Sequence, residues 1–211
     1  MRSFILKSAI VMCCTIGLSA CETMNLPQMP LSGVLDKAGH KIVLADGIEF
    51  TLPAEPWDEN ETIDVVQQVK ASWNTGNKSG DVSFQGRLNI TSERAQIVLI
   101  DELGRRAIEI DWTEQDISIQ KANWLPEDFD AKRLLADIVM TYWPLDIVED
   151  ALPDNMSVHD GFGERTVRLN DSGRKYVTIE RPIKDVWQGQ ATLVNVRFNY
   201  RININSIRTG N

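Results

Sequence analysis

Apolar and polar residues alternate with a period of two along most of the chain beyond residue 60. Ile63, Val65, Gln67, Val69, Ala71 and Trp73 share one side of a strand predicted over 62–73, although Val65 to Val69 taken alone also fits a helix. After a glycine-containing loop at 74–80, Val82, Phe84, Gly86, Leu88 and Ile90 line one face of the next strand, with Ser83, Gln85, Arg87 and Asn89 opposite. Residues 95–100 are apolar on both faces, Asp101 to Gly104 reads as a tight turn, and Ile108, Ile110 and Trp112 alternate with Glu109 and Asp111. Ile117 and Ile119 begin a further short strand. Residues 192–205 give the longest alternation. Val194, Val196, Phe198, Tyr200, Ile202 and Ile204 face one way, with Asn195, Arg197, Asn199, Arg201, Asn203 and Asn205 facing the other, which predicts one long strand with a dry and a wet face.

The period changes after Trp124-Leu125-Pro126. Leu134, Leu135, Ile138, Val139 and Tyr142 recur at helical spacing, with Asp128 or Asp130 placed to cap the helix. Pro144 ends it and suits the start of a second helix over 144–151. Strands then resume. Met156 and Val158 lead into a loop at His159 to Gly163, and 165–169 and 175–180 form a hairpin. Upstream, 41–44 and 48–52 flank Asp46-Gly47 as another hairpin. A meander this long must curl or be covered, and the helical stretch at about 126–152 is the large apolar cover available. The expected class is mainly β with a helical insertion (α+β). It is a curved antiparallel half-barrel with helices over its concave face, formed by one domain over 33–211.

The first twenty residues follow another logic. Arg2 and Lys7 precede an apolar run from Ala9 to Leu18, which is shorter than the roughly 20 residues of a membrane span. Leu18-Ser19-Ala20-Cys21 then resembles the lipobox of bacterial lipoproteins. That resemblance implies cleavage of 1–20, acylation of Cys21, and anchoring of the mature chain to a membrane. Two or three acyl chains hold far more firmly than one. Glu22, where an aspartate would signal retention in the inner membrane, implies the outer membrane with the domain in the periplasm. Residues 21–32, with Pro27 and Pro30, read as a lipidated tether.

Composition narrows the choices further. The 211 residues carry a formal charge of −8, and loss of Arg2 and Lys7 makes the mature chain more acidic still. Such a chain is a poor binder of nucleic acid or of anionic lipid headgroups. Cys13 and Cys14 leave with the signal and Cys21 is the acylation site, so the domain is left without disulfides, thiol catalysis or thiolate metal ligands. The acidic run Asp58-Glu59-Asn60-Glu61 lacks the spacing of a calcium loop. His159 and Asp160 are neighbours in sequence, which is not a dyad, and no serine lies in a nucleophile elbow. No catalytic residue, metal site or cofactor is expected.

The six tryptophans, Trp57, Trp73, Trp112, Trp124, Trp143 and Trp187, fit either core packing or the walls of an apolar cavity. The candidate cavity residues are Trp73, Phe84, Trp112, Trp143, Phe198 and Tyr200.

The lipobox, the meander, the mid-chain helices and the final alternating stretch together resemble the lipoprotein receptor LolB and its soluble relative LolA. A second, closer resemblance is to an uncharacterised lipoprotein family, a domain of unknown function often found among fatty-acid-like and aryl-polyene biosynthesis genes. It covers about 60–205 and rests on Val69-Lys70-Ala71-Ser72-Trp73, on Leu134-Leu135-Ala136-Asp137 through Tyr142-Trp143-Pro144-Leu145, and on Asn199-Tyr200-Arg201-Ile202. The LolB resemblance implies a half-barrel that holds the acyl chains of cargo. It also implies an exposed leucine, before a glycine, that touches the membrane, and Leu103-Gly104 occupies the similar place without the preceding proline.

The expectation is a monomeric, non-enzymatic outer-membrane lipoprotein. It binds or transfers an acyl-chain, lipoprotein or polyene-lipid cargo, with envelope transport proteins as further partners. The alternative is a structural or scaffolding lipoprotein of an envelope biosynthesis or export complex.

Overall fold

Ten strands pair in one antiparallel sheet whose two edges are joined, in the chain, by the helices. The computed structural model describes residues 40–45, 48–53, 61–74, 76, 78–126 and 129–209. The signal, Cys21, the tether, Asp46-Gly47, Asp58 to Asn60 and Asp128 lie outside them.

A first hairpin, β1 (Lys41–Ala45) and β2 (Ile48–Thr51), stands apart from the main sheet. Five strands follow as a meander: β3 (Ile63–Asn74), β4 (Ser79–Ile90), β5 (Arg94–Asp101), β6 (Arg106–Thr113) and β7 (Ile117–Lys121). The helices are α1 (Ala131–Tyr142) and α2 (Leu145–Ala151). A second meander comprises β8 (Met156–Gly161), β9 (Glu164–Leu169), β10 (Lys175–Glu180), β11 (Gly189–Asn195) and β12 (Tyr200–Arg208). The order across the sheet is β7-β6-β5-β4-β3-β12-β11-β10-β9-β8, so the two meanders join at β3 and β12. Since β7 and β8 are opposite edges, the segment between them has to cross the sheet, and α1 and α2 make that crossing.

Register follows the alternation. Ile63, Val65, Gln67 and Val69 of β3 lie opposite Ile90, Leu88, Gly86 and Phe84 of β4, all on the covered face. Val66, Gln68 and Lys70 point the other way.

Two expectations need correction. The long strand over 192–205 is a hairpin, β11 and β12, turning at Val196 to Asn199. Asn199 takes a positive φ of 50°, which asparagine tolerates, and Asn195 Oδ1 accepts the N–H of Phe198 at 3.0 Å. The turn reverses the faces, so Leu193 and Asn195 are buried while Val194 is half-buried and Val196 exposed. The loop expected at His159 is the strand β8, and only Phe162 and Gly163 turn. Asp160 and His159 point to opposite sides of that strand, as period two requires.

The sequence of α1 is apolar on nearly every side, a pattern that requires burial all round. Burial is achieved by a second cover: besides the sheet, the helix packs against β1, while β2 packs against α2. Ile42, Leu44, Phe50 and Leu52 of that hairpin are buried in the same core. The side chain of Asp130 caps α1, accepting the N–H groups of Lys132 and Arg133 at 3.0 and 3.2 Å. The last turn of α1 has no basic residue of its own. Strand residues supply the charge: buried Arg165 donates to the carbonyls of Met140 and Trp143, both at 2.8 Å, and Arg181 donates to that of Thr141 at 2.7 Å. Asp160 binds both guanidinium groups, at 2.6 and 2.8 Å.

Candidate functional site

The concave face is closed at one end and half-open at the other. At the closed end Trp112 stacks on Trp143 with centroids 5.8 Å apart, Trp143 meets Trp187 edge-on at 6.0 Å, and Tyr142 stacks on Trp187 at 4.2 Å. Such pairs contribute about 0.5–1.5 kcal/mol each beyond their buried area. Trp112 and Trp143 are among the largest fully buried side chains, so these two candidates sit in the packed core of the closed end.

The other four candidates gather where β3, β4 and β12 run past the beginning of α1. Phe84 is buried, with Val69 and Ile204 opposite one another beside it. Tyr200 and Trp73 are cross-strand neighbours, both half-buried. The Trp73 ring lies over Gly80, where a Cβ would come within 2.7 Å of it. Phe198 lies half-buried with the Arg133 guanidinium 3.7 Å above its ring. Ala71, Val82 and Leu134 complete a half-buried apolar rim.

From this rim a narrow slot runs beneath α1. Its walls are apolar, formed by Val69, Leu88, Leu99, Leu134, Ile138 and Ile202 among others, and its volume is about 30 Å³. That is about the share of one water molecule in the liquid. Three polar residues also line it, namely Gln67, Asp137 and Thr141. Gln67 Nε2 donates to Tyr142 Oη at 2.9 Å and Ser206 Oγ at 3.1 Å. Thr141 Oγ1 donates to the Asp137 carbonyl at 2.6 Å. Asp137 Oδ2 accepts from Tyr200 Oη at 2.5 Å, and Tyr200 Oη accepts from Asn195 Nδ2 at 3.1 Å. Asp137 Oδ1 is buried with no hydrogen-bond partner among the described residues. Burial raises the pKa of Asp137 to about 7, although the Tyr200 hydrogen bond and Arg133 act the other way. Burial also raises the pKa of Tyr200, and the neighbouring Asp137 pushes the same way.

Leu103 stands apart, 78 % exposed at the tip of the β5–β6 turn. Asp101 Oδ1 builds that turn by accepting the N–H groups of Leu103 at 3.0 Å and Arg105 at 2.8 Å, and Gly104 supplies the positive φ of 77°. The Arg105 guanidinium lies 4.5 Å above Trp124, itself partly exposed. The same guanidinium pairs with Asp101 at 2.7 Å, which ties the turn carrying Leu103 to Trp124.

Sequence reasoning missed Asp137, whose partner is 63 residues away. It also missed Phe162, fully exposed at a φ of 48°, next to Gly163, against which exposed Ile183 packs. The only signal for Phe162 was its place between two glycines.

Residues 64–208 match the family described as a protein of unknown function, DUF3261. The chain belongs to that family. Among solved structures, a LolA superfamily protein from Nitrosomonas europaea is 7 % identical, with 72 % of this chain and 86 % of that one covered and a TM-score of 0.38. An outer membrane lipoprotein-sorting protein domain from Vibrio parahaemolyticus, so described as putative, is 6 % identical, with 69 % and 85 % covered and a TM-score of 0.36. A DUF1329 family protein from Desulfovibrio piger is 12 % identical, with 70 % and 85 % covered and a TM-score of 0.31. No curated protein matches this DUF3261 member.

Proposed function

We propose that this protein is a non-enzymatic envelope lipoprotein that binds or passes on a cargo bearing an acyl or other lipid chain. Cys21 anchors it and Glu22 directs it to the outer membrane. One observation carries the cargo reading: the half-buried rim of Val82, Leu134, Phe198 and Tyr200 continues into the slot beneath α1. A rim of this kind offers apolar area to a chain, each methylene of which contributes about 0.8 kcal/mol when buried. The slot as it stands takes about one methylene, so a longer chain enters only when α1 moves away from β3 and β12. Arg165 and Arg181 hold the end of α1, which leaves its first turns as the part that shifts. Leu103, with Trp124 and Arg105 beside it, is the membrane contact during delivery.

Native mass spectrometry of the full chain, purified from a Gram-negative envelope, tests this reading. A lipid that co-purifies, leaves on denaturation and is excluded by Leu134→Glu supports it. A mass showing only the protein and its own anchor, unchanged after incubation with acyl and polyene lipids, rejects it.

The second reading, a scaffolding lipoprotein of an envelope complex, is favoured by the aromatic packing of Trp112, Trp143 and Trp187, which leaves most of the interior solid. The same experiment separates the two, since a scaffold carries no exchangeable lipid.

A further inference from the structure

The slot beneath α1 has apolar walls and one feature that a plain hydrocarbon does not explain. Asp137 sits in the sheet-facing seam of α1, between Leu134 and Ile138 in a row otherwise suited to leucine, and is 4 % exposed. No basic group lies within ion-pair distance of it among the described residues. Arg133, one turn earlier, is 3.6 Å from Asp130 and stacks on Phe198 instead. One carboxylate oxygen is used by Tyr200, and the other has no hydrogen-bond partner among the described residues. A clip between α1 and β12 needs only the first oxygen, and leaving the second buried and unpaired is costly.

We infer that the ligand of this slot is a chain carrying a hydroxyl group along its length, with that hydroxyl hydrogen-bonded to Asp137 Oδ1. This rests on the cargo reading above and names the chemical class of the cargo. A hydroxyl suits the position because it both donates and accepts, so it pairs with the carboxylate and with the carboxylic acid alike. A carbonyl pairs with the acid only, and an alkyl chain with neither. A chain ending in a carboxylate brings like charge toward the same oxygen and is disfavoured. Gln67 and Thr141, in the same slot, add polar edges for a substituent but are already engaged with Tyr142, Ser206 and the Asp137 carbonyl.

The test uses the full chain, two kinds of neutral probe, methyl myristate and a set of hydroxymyristate methyl esters differing in hydroxyl position, and one cationic probe, myristyl amine. Affinities are read by displacement of a fluorescent polyene ester. At least one hydroxy ester is expected to bind about five- to tenfold tighter than methyl myristate, as one added hydrogen bond to a buried acceptor allows. Asp137→Ala removes that gap, read as the ratio of hydroxy-ester to methyl myristate affinity within the variant itself, whatever its absolute affinity. The side-chain carboxyl carbon resonance of Asp137 in the unsubstituted protein reads the same contact without a mutation, shifting with the hydroxy ester and not with the plain one. Equal binding of all the esters, with no carboxyl shift, overturns the inference and leaves the cargo reading standing. Tighter binding of the amine also overturns it. Failure of every probe to bind removes the cargo reading and the inference together.

Discussion

Arg165 and Asp160 meet through two hydrogen bonds, Nε to Oδ1 at 2.6 Å and Nη2 to Oδ2 at 2.8 Å, with the guanidinium wholly buried. The remaining donor serves the carbonyls of Met140 and Trp143, so one side chain ties the end of α1 to β8 and β9. Arg165→Met removes this tie and leaves two helix carbonyls without their donor. The expected loss is about 3–5 kcal/mol, measured by urea unfolding. Arg165→Lys does not restore it, because an ammonium cannot reproduce the planar fork. Burial works against ionisation of Asp160, but the hydrogen bonds and charges of Arg165 and Arg181 outweigh it and hold its pKa below the ordinary value. Its contribution is therefore present above the usual carboxylate range and disappears as the pH falls through the lowered pKa.

Asp137 has the opposite sign. Its pKa is about 7 in the folded chain against 3.8 for a free aspartate. Between those values the folded state binds more protons than the unfolded state, so stability falls as the pH rises from about 4 to about 7. The groups around the carboxyl are Tyr200 of β12 and Arg133 and Asp130 of α1 and its cap, with Gln67 as the neutral neighbour on β3. Asp137→Asn removes the ionisation but keeps an acceptor for Tyr200. The variant is expected to match the parent near pH 4 and to exceed it by a few kcal/mol at pH 8 in urea melts. Equal pH slopes for the two proteins contradict this account.

Trp73 and Gly80 pack face to face, and a methyl group at Gly80 would stand 2.7 Å from the indole. Gly80→Ala is expected to cost about 1–3 kcal/mol by overpacking and to shift tryptophan emission as the ring is pushed toward water. In a Trp73→Ala background the same substitution should cost markedly less, giving a coupling that a double-mutant cycle reads directly.

Leu103 is the exposed apolar tip of a turn that Asp101 holds in shape. Leu103→Glu is expected to leave the melting temperature unchanged, since an exposed turn residue contributes little to stability. It should lower transfer of acyl cargo to vesicles severalfold. An unchanged transfer rate removes Leu103 from the delivery step and leaves the slot unaffected.

The strands were legible where alternation was sharp and turns carried glycine or aspartate, as at Asp101 to Gly104. The helices were legible because Pro126 and Pro144 bracket a 3.6-residue pattern. Alternation failed at 195–199, where Val196 and Phe198 continue the period through a turn, so apolar spacing hid the reversal. His159 and Asp160 sit beside Gly161-Phe162-Gly163, whose turn chemistry masked the preceding strand. The aromatic candidates were identified as one set, yet the fold divides them. Trp112 and Trp143 face inward at the closed end, and Trp73, Phe84, Phe198 and Tyr200 gather at the open one. Asp137 gives no local sign of its role, since burial and Tyr200 define it and both arise from tertiary structure.

The seam between β3 and β12 has a consequence for how the chain acquires its structure. Each meander pairs locally and forms early, but the seam joins Val65 to Arg208 and Trp73 to Tyr200 across most of the sequence. Such distant pairing is slow, because the loop must close before any contact rewards it. The middle of the sheet is thus completed by the last strand in chain order. A chain that emerges N-terminus first cannot assemble its centre until β12 has appeared, and loss of β12 splits the sheet into two unsupported halves rather than trimming an edge.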